Sequence, residues 1–298
     1  MIKSIDSLIT HVKNNEKKTI AVAAAEDYDV VTIVNECRKM NLADFILVGD
    51  KEKITEIANQ NDIDLDSEII DIKDHDLAAQ KVVDLKRQNN AQVIMKGLLH
   101  TGTFLKAVLN KETGLNKGRL ISQISIYDRI DGKGLQLLTD CVISIQPTLE
   151  QKKQIIENAV ECARKLGIEK PKVAVLSALE IVNPDIPDTL DAAILSKMAD
   201  RGQIKNCIVD GPFALDNALS IEAARHKNIK SEVAGDADIL LVPNLVVGNV
   251  LTKALVFYAK MKVASAVMGV DAPVVMTSRT DTIENKILSI ALALYLAN

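Results

Sequence analysis

The sequence holds no tryptophan, and aromatic residues make up only 3% of its 298 positions. Base-stacking platforms and aromatic sugar cradles are therefore excluded as leading readings. No strong charge of one sign is present: 36 Lys and Arg stand against 40 Asp and Glu, a formal net charge of −4. Such a balance argues against nonspecific nucleic-acid binding and against a polybasic membrane anchor. Long apolar runs are missing too, and the first 18 residues alternate charge with apolar side chains, unlike a signal peptide. The four cysteines (Cys37, Cys141, Cys162, Cys207) form no CxxC pair, and the four histidines (His11, His75, His100, His226) are scattered. Buried reduced thiols, no metal site and a cytoplasmic location are the expectations. There is no GxGxxG after the first strand, no P-loop, no GxSxG and no HExxH.

What is present is apolar material for two cores: 48% hydrophobic residues in a chain of about two domains' length. Short apolar runs at Thr19–Ala25, Asp44–Gly49 and Val93–Gly97 read as buried strands. Helical periods at Val30–Met40 and Leu77–Gln88 separate them, giving a βαβαβ series. Leu120–Tyr127 and Gln136–Ile145 flank Asp131-Gly132-Lys133-Gly134, a hairpin signal. Thr148 and Gln151 form a capping box for a long helix that Gly167 stops, and Ile168–Lys172 reads as a linker. A second α/β series follows, with strands near Val173–Ser177, Cys207–Asp210, Ile239–Pro243 and Val274–Thr277. Its helices are expected near Leu190–Asp200, Leu215–Arg225, Asn249–Lys260 and Asp281–Leu296.

Open α/β sheets place ligands at the carboxyl ends of strands, and four such loops could carry chemistry. Lys96 and Thr101 surround Gly97, either as an anion site or as an ordinary strand end. Asp210-Gly211-Pro212 would be a rigid turn fixing a carboxylate at a strand end, or simply a turn. In Pro243–Asn249, Gly248 allows close approach and Asn249 would cap a helix whose N–H groups face an anion, with Lys253 one turn further on. Thr277-Ser278-Arg279-Thr280-Asp281 sets an arginine among hydroxyls, suited to a phosphate, while Thr280 or Asp281 would cap the last helix.

Together these loops resemble the phosphate acyltransferase family, whose members exchange an acyl group between coenzyme A and phosphate. The resemblance runs through Thr139-Asp140-Cys141, Pro147–Glu150 and Asp210-Gly211-Pro212, then Gly235 to Asn244, Gly248-Asn249 and Lys253, and closes with Pro273 to Arg279. It covers most of the chain from residue 93 onward. Lys96 to Thr101 and Ala272 to Arg279 resemble the butyryl-type members, which makes butanoyl the expected acyl group and acetyl the alternative.

The resemblance implies a fold of two three-layer α/β/α domains with an inter-domain cleft, of the isocitrate/isopropylmalate dehydrogenase-like class. Residues 1–147 plus about 280–298 would form the first domain and residues 148–279 the second. It implies a homo-oligomer, with CoA and phosphate as substrates and neither metal nor nicotinamide as cofactor. By resemblance Ser278 and Arg279 are catalytic, while Lys96, Thr101, Asp210, Pro243, Asn244, Gly248, Asn249, Lys253 and Thr277 contact substrate. Two positions depart from the acetyl-type pattern. Asn244 stands where those members have Asp, and Asn285 stands where they place a proposed base for the thiol, leaving Asp281 as the candidate base. Two rivals of other kinds, a decarboxylating dehydrogenase and a non-catalytic binding protein, lack any residue pattern of their own here.

Overall fold

The computed structural model describes residues 2–297, and its contacts divide the chain into two compact units. One, here the split unit, comprises Asp6–Arg119 and the stretch from Ala264 to the C-terminal end. The other, the insert unit, comprises Leu120–Val263 with the first residues up to Ile5. The division therefore falls at 119/120 and 263/264 rather than at the expected 147 and 279. Residues 168–171, expected as a linker, instead join a helix to a strand inside the insert unit.

The split unit begins with α1 (Ser7–Lys13), β1 (Lys18–Ala23), α2 (Tyr28–Lys39), β2 (Ala43–Gly49), α3 (Lys51–Gln60) and β3 (Glu68–Asp71). It continues through α4 (His75–Arg87), β4 (Val93–Lys96) and α5 (Thr101–Val108). Near-continuous apolar runs in β1 and β2 follow from burial on both faces. Asp27, Asp50 and Asp74 cap α2, α3 and α4, each accepting a hydrogen bond from the backbone N–H three residues on.

The insert unit opens with the hairpin β5 (Ser122–Asp128) and β6 (Leu135–Thr139), antiparallel as expected. Then come α6 (Leu149–Lys165), β7 (Lys172–Leu176), α7 (Pro187–Asp200), β8 (Ile208–Phe213), α8 (Leu215–Leu219) and α9 (Ile221–His226). It ends with β9 (Ile239–Leu241), α10 (Leu245–Lys253) and a π-helical turn at Ala254–Tyr258. The reciprocal Thr148–Gln151 capping box starts α6. The expected helix Leu215–Arg225 is broken at Ser220, which is extended and caps α9. The sheet runs β5-β6-β9-β7-β8, with the pairs β6–β9, β9–β7 and β7–β8 parallel. Its hairpin is fastened by Arg129, whose guanidinium reaches Asp131 and Asp236 at 2.9 Å each, while Lys172 holds Asp236 from the other side at 2.6 Å. The Gly235–Asp238 motif is thus a structural clasp.

Returning to the split unit, the chain adds β10 (Ala264–Met268), β11 (Val274–Val275) and α11 (Ile283–Leu296). Here the strand order is β3-β2-β1-β4-β11-β10, parallel except between β10 and β11. Because the order reverses after β3, right-handed crossovers set helices on both faces. In agreement, α11 packs against α1, α2 and β10, while α4 packs against α5 and β1. The reversal leaves a crevice beyond the carboxyl ends of β1 and β4.

Candidate functional site

In the split unit, Lys96 ends β4, and β11 runs parallel beside it in the register Val275 to Met95. Gly97 is required there: a Cβ would lie 2.2 Å from the Ala24 carbonyl oxygen at the end of β1. The half-buried Lys96 ammonium donates to the carbonyl oxygens of Gly97 at 3.0 Å and Leu99 at 3.2 Å. Its pKa is lowered, chiefly by burial and then by the positive charge of Arg279, with Asp27 opposing. Lys96 and Arg279 are therefore like charges acting on each other in one place. The Arg279 side chain is exposed and has no hydrogen bond or ion pair among the described residues.

Thr101 starts α5 beside this pair. Unlike α2, α3 and α4, this helix has no side-chain cap, because His100 at the cap position makes no such bond. Its first N–H groups therefore remain as anion donors. Thr277 is half-buried, and Ser278 is exposed at the turn that follows β11. The Ser278 N–H donates to Asp281 Oδ2 at 2.8 Å, and Ser278 Oγ lies 3.0 Å from Thr280 Oγ1. The structure begins α11 at Ile283, so neither Thr280 nor Asp281 is its cap; Thr282 accepts from the Asn285 N–H instead. Asp281 thus lies before the helix, and Asn285 is buried in its first turn.

The insert unit collects the other expected residues, with two corrections. First, Asn244 and not Asn249 caps α10, accepting from the Val247 N–H at 3.1 Å. Gly248 and Asn249 lie inside the helix. Lys253 ends it, eight residues past Leu245 and about 12 Å along the axis, so it adds no charge at the N-terminus. Gly248 is needed for packing: a Cβ would sit 2.8 Å from the Asp140 carbonyl oxygen. Second, Asp210-Gly211-Pro212 lies within β8 rather than beyond it. Asp210 is half-buried, and its Oδ1 accepts from Ser196 Oγ on α7 at 3.2 Å and from the Gly211 N–H at 2.8 Å. Asp140 is likewise occupied, its buried carboxylate accepting from the N–H groups of Gln123, Val142, Ile143 and Ser144.

Two features escaped the sequence reading. Asp27, which caps α2 in the turn after β1, acts on Lys96, and the β1–β4 pairing brings the two segments together. An apolar cavity of about 570 Å³ opens beside Pro243 and Asn244, walled by Val246, Val247, Val250 and Leu215. Among the described residues no group of three His, Cys, Asp or Glu could hold a metal ion, and no helix is long and apolar enough to cross a membrane.

A family model described as "Phosphate acetyl/butaryl transferase" matches residues 4–87 and 74–294. The chain is 47% identical over 298 residues to the phosphate butyryltransferase of Clostridium acetobutylicum, covering all of this chain and 99% of that one. It is 43% identical over 290 residues to the phosphate acetyltransferase of Thermotoga maritima, covering 97% and 98% of the two chains. Among solved structures, a branched-chain phosphotransacylase from Enterococcus faecalis V583 superposes with a TM-score of 0.83 at 34% identity, covering 94% of this chain and 99% of that one.

Proposed function

Since the chain belongs to the phosphate acetyl/butyryl transferase family, we propose that it transfers a short acyl group, butanoyl in the first place, reversibly between coenzyme A and inorganic phosphate. The observation that carries the reading is the unpaired Arg279 guanidinium acting on Lys96 next to the uncapped start of α5. Arg279, which has no ion pair among the described residues, the neighbouring Lys96 and a row of open N–H groups form a set of donors for a small dianion. Arg279 can grip two phosphate oxygens at once, and the α5 N–H groups can take a third.

In this reading phosphate attacks the thioester carbonyl directly, with no acyl-enzyme. Holding both substrates in line supplies an orientation advantage of about 7–11 kcal/mol in favourable cases. Ser278 Oγ donates to the developing oxyanion or to the departing sulfur. The Asp281 bond to the Ser278 N–H fixes the turn that presents this hydroxyl. Asp281 is also the proposed base that takes the thiol proton in the reverse direction. Pro243, Asn244 and Asn249 are proposed CoA contacts, Thr101 and Thr277 phosphate-side contacts. The isocitrate dehydrogenase-like classification, supported by the two α/β units, belongs to the same proposal, as do a homo-oligomeric assembly and a cytoplasmic setting carried over from the resemblance and the composition.

The test is thiol release from butanoyl-CoA in the presence and absence of phosphate, with acetyl-CoA in parallel. Phosphate-dependent release is expected, faster with butanoyl-CoA. Release that ignores phosphate would overturn the reading. A nicotinamide-binding titration separates the dehydrogenase alternative.

A further inference from the structure

Arg279, Lys96 and the open N–H groups of α5 attract any small tetrahedral dianion alike, so charge alone does not separate phosphate from sulfate. A carboxylate in the turn after β1 bears on that choice. The turn is held against the end of β4 by backbone bonds: the Gly97 N–H donates to the Ala23 carbonyl oxygen and the Leu98 N–H to that of Ala24, each at 2.8 Å. Gly97 permits the approach because a Cβ would collide with both carbonyls. Two residues beyond Asp27, Asp29 takes the Lys286 ammonium at 2.6 Å, which fixes the start of α2 against the start of α11. The turn that carries Asp27 is thus tied on one side to the Lys96 segment and on the other to the helix that follows Ser278 and Arg279.

The Asp27 side chain is half-buried, and its Oδ1 accepts the Val30 N–H at 3.2 Å as the cap of α2. The carboxylate has no other hydrogen bond and no ion pair among the described residues, so Oδ2 keeps its acceptor capacity. It acts on the Lys96 ammonium without closing a salt bridge. An ionised carboxylate accepts hydrogen bonds and donates none. Hydrogen phosphate offers such an acceptor one P–O–H, whereas sulfate at neutral pH offers oxygens alone. A carboxylate set among cations therefore strengthens the binding of one dianion and repels the other.

Resting on the acyl-transfer reading above, we infer that Asp27 is the specificity-determining residue of the anion site: its Oδ2 accepts the hydroxyl of hydrogen phosphate and excludes tetrahedral anions that carry no proton. A hydrogen bond to a charged group sets the scale of the discrimination, about 10–100-fold. Asn in place of Asp27 keeps an oxygen for the Val30 N–H and turns the second position into an N–H donor, which suits sulfate as well as phosphate.

The experiment measures KM for phosphate and the inhibition constant of sulfate in phosphate-dependent thiol release from butanoyl-CoA, for the wild-type protein and for Asp27→Asn. Asn is an equally good cap, so the melting temperature should hardly change. In the wild type sulfate should bind about tenfold or more weakly than phosphate. In Asp27→Asn the ratio of the two constants should shrink by about tenfold or more. The ratio is the measure, because removing a negative charge strengthens the binding of every anion. Asp27→Ser, which also keeps a cap and lacks the carboxylate, should shrink it in the same way. A ratio that either variant leaves unchanged, or a wild type that binds sulfate as well as phosphate, would overturn the inference, while phosphate-dependent transfer would still stand. If no acyl-CoA supports phosphate-dependent transfer, the functional reading fails. Calorimetric titration of phosphate and of sulfate then decides Asp27 alone: a preference for phosphate that shrinks in Asp27→Asn supports it. A preference that the substitution leaves unchanged, or no preference in the wild type, overturns it.

Discussion

Asp281 accepts the backbone N–H of Ser278 at 2.8 Å, closing the turn that joins β11 to α11. One carboxylate therefore has two possible duties, holding the turn and taking a proton, and substitution separates them. Asn keeps an acceptor oxygen for the Ser278 N–H but cannot act as a base. If the proton is what matters, Asp281→Asn slows the thiol-consuming direction by about 10²–10⁴-fold at neutral pH. Raising the pH toward the thiol pKa then restores much of the rate. If Asp281→Asn is fully active and Asp281→Ala is not, Asp281 is a positioning residue and the thiolate is stabilised by Arg279 and Lys96.

Arg279 should be intolerant of its closest chemical relative. Lysine keeps the charge and loses the two-pronged geometry, so Arg279→Lys is expected to lose about 10²-fold or more in turnover and to weaken phosphate binding. The melting temperature should hardly move, because the side chain has no partner to lose within the described residues. Initial-rate kinetics and a thermal melt check both halves of the statement. Ser278→Ala, which removes one oxyanion-type donor, should cost about 10²–10³-fold in turnover.

Kinetic order follows from the thiols. Burial pushes Cys37, Cys141 and Cys162 up to about 12, and Cys207 to about 11, so none is a thiolate at neutral pH. Initial-rate plots in acyl-CoA and phosphate should intersect, and mass spectrometry should find no acyl-cysteine. Parallel lines would point to a covalent intermediate.

Acid should loosen the insert unit through its hairpin clasp. The hydrogen-bonded Arg129 guanidinium is the main cause that holds Asp131 down, from 3.8 to about 2. A depressed carboxylate contributes its stability above the unfolded value and loses it as the pH falls through the folded one. The window is therefore from about pH 4 to about pH 2, and the partial exposure of Asp131 keeps the effect modest. Asp131→Asn should flatten the dependence of stability on pH in that window, as read by urea unfolding at several pH values. An unaltered slope would remove the clasp from the acid response.

How much of this was legible before folding depended on whether the signal was local. Strands β1, β2 and β4 announce themselves because burial on both faces makes them continuous apolar runs. Strand β3 (Glu68–Asp71) is short with polar ends, and β10 is rich in alanine, so neither stands out. The start of α10 was placed five residues late, at Asn249, although Asn244 is an equally good cap and is the one used. What decides it is the tight seat of Gly248 on Asp140, a contact over a hundred residues away in sequence. The domain division was displaced for a similar reason: β6 pairs with β9, which ties the hairpin to the insert unit. Ser278 and Arg279 were visible from their loop, whereas the charge pair with Lys96 needed the β4–β11 pairing. The cavity, assembled from residues 176–178, 186, 188 and 215 and from seven positions between 243 and 254, left no trace in any one segment.

The split of one unit around the other also sets an order on biosynthesis. As the chain leaves the ribosome, everything from Leu120 to Val263 emerges before α11, so the insert unit can complete its core while the split unit still lacks an element. That element is nearly all buried, from Asn285 to Leu294 without interruption, and its Lys286 pairs with Asp29 on α2 at 2.6 Å. Until it docks, the nascent protein carries an open hydrophobic seat against α1, α2 and β10, a surface for chaperones or for another unfinished chain. Ser278 and Arg279 travel on the same late segment, so the residues assigned to chemistry take their places last.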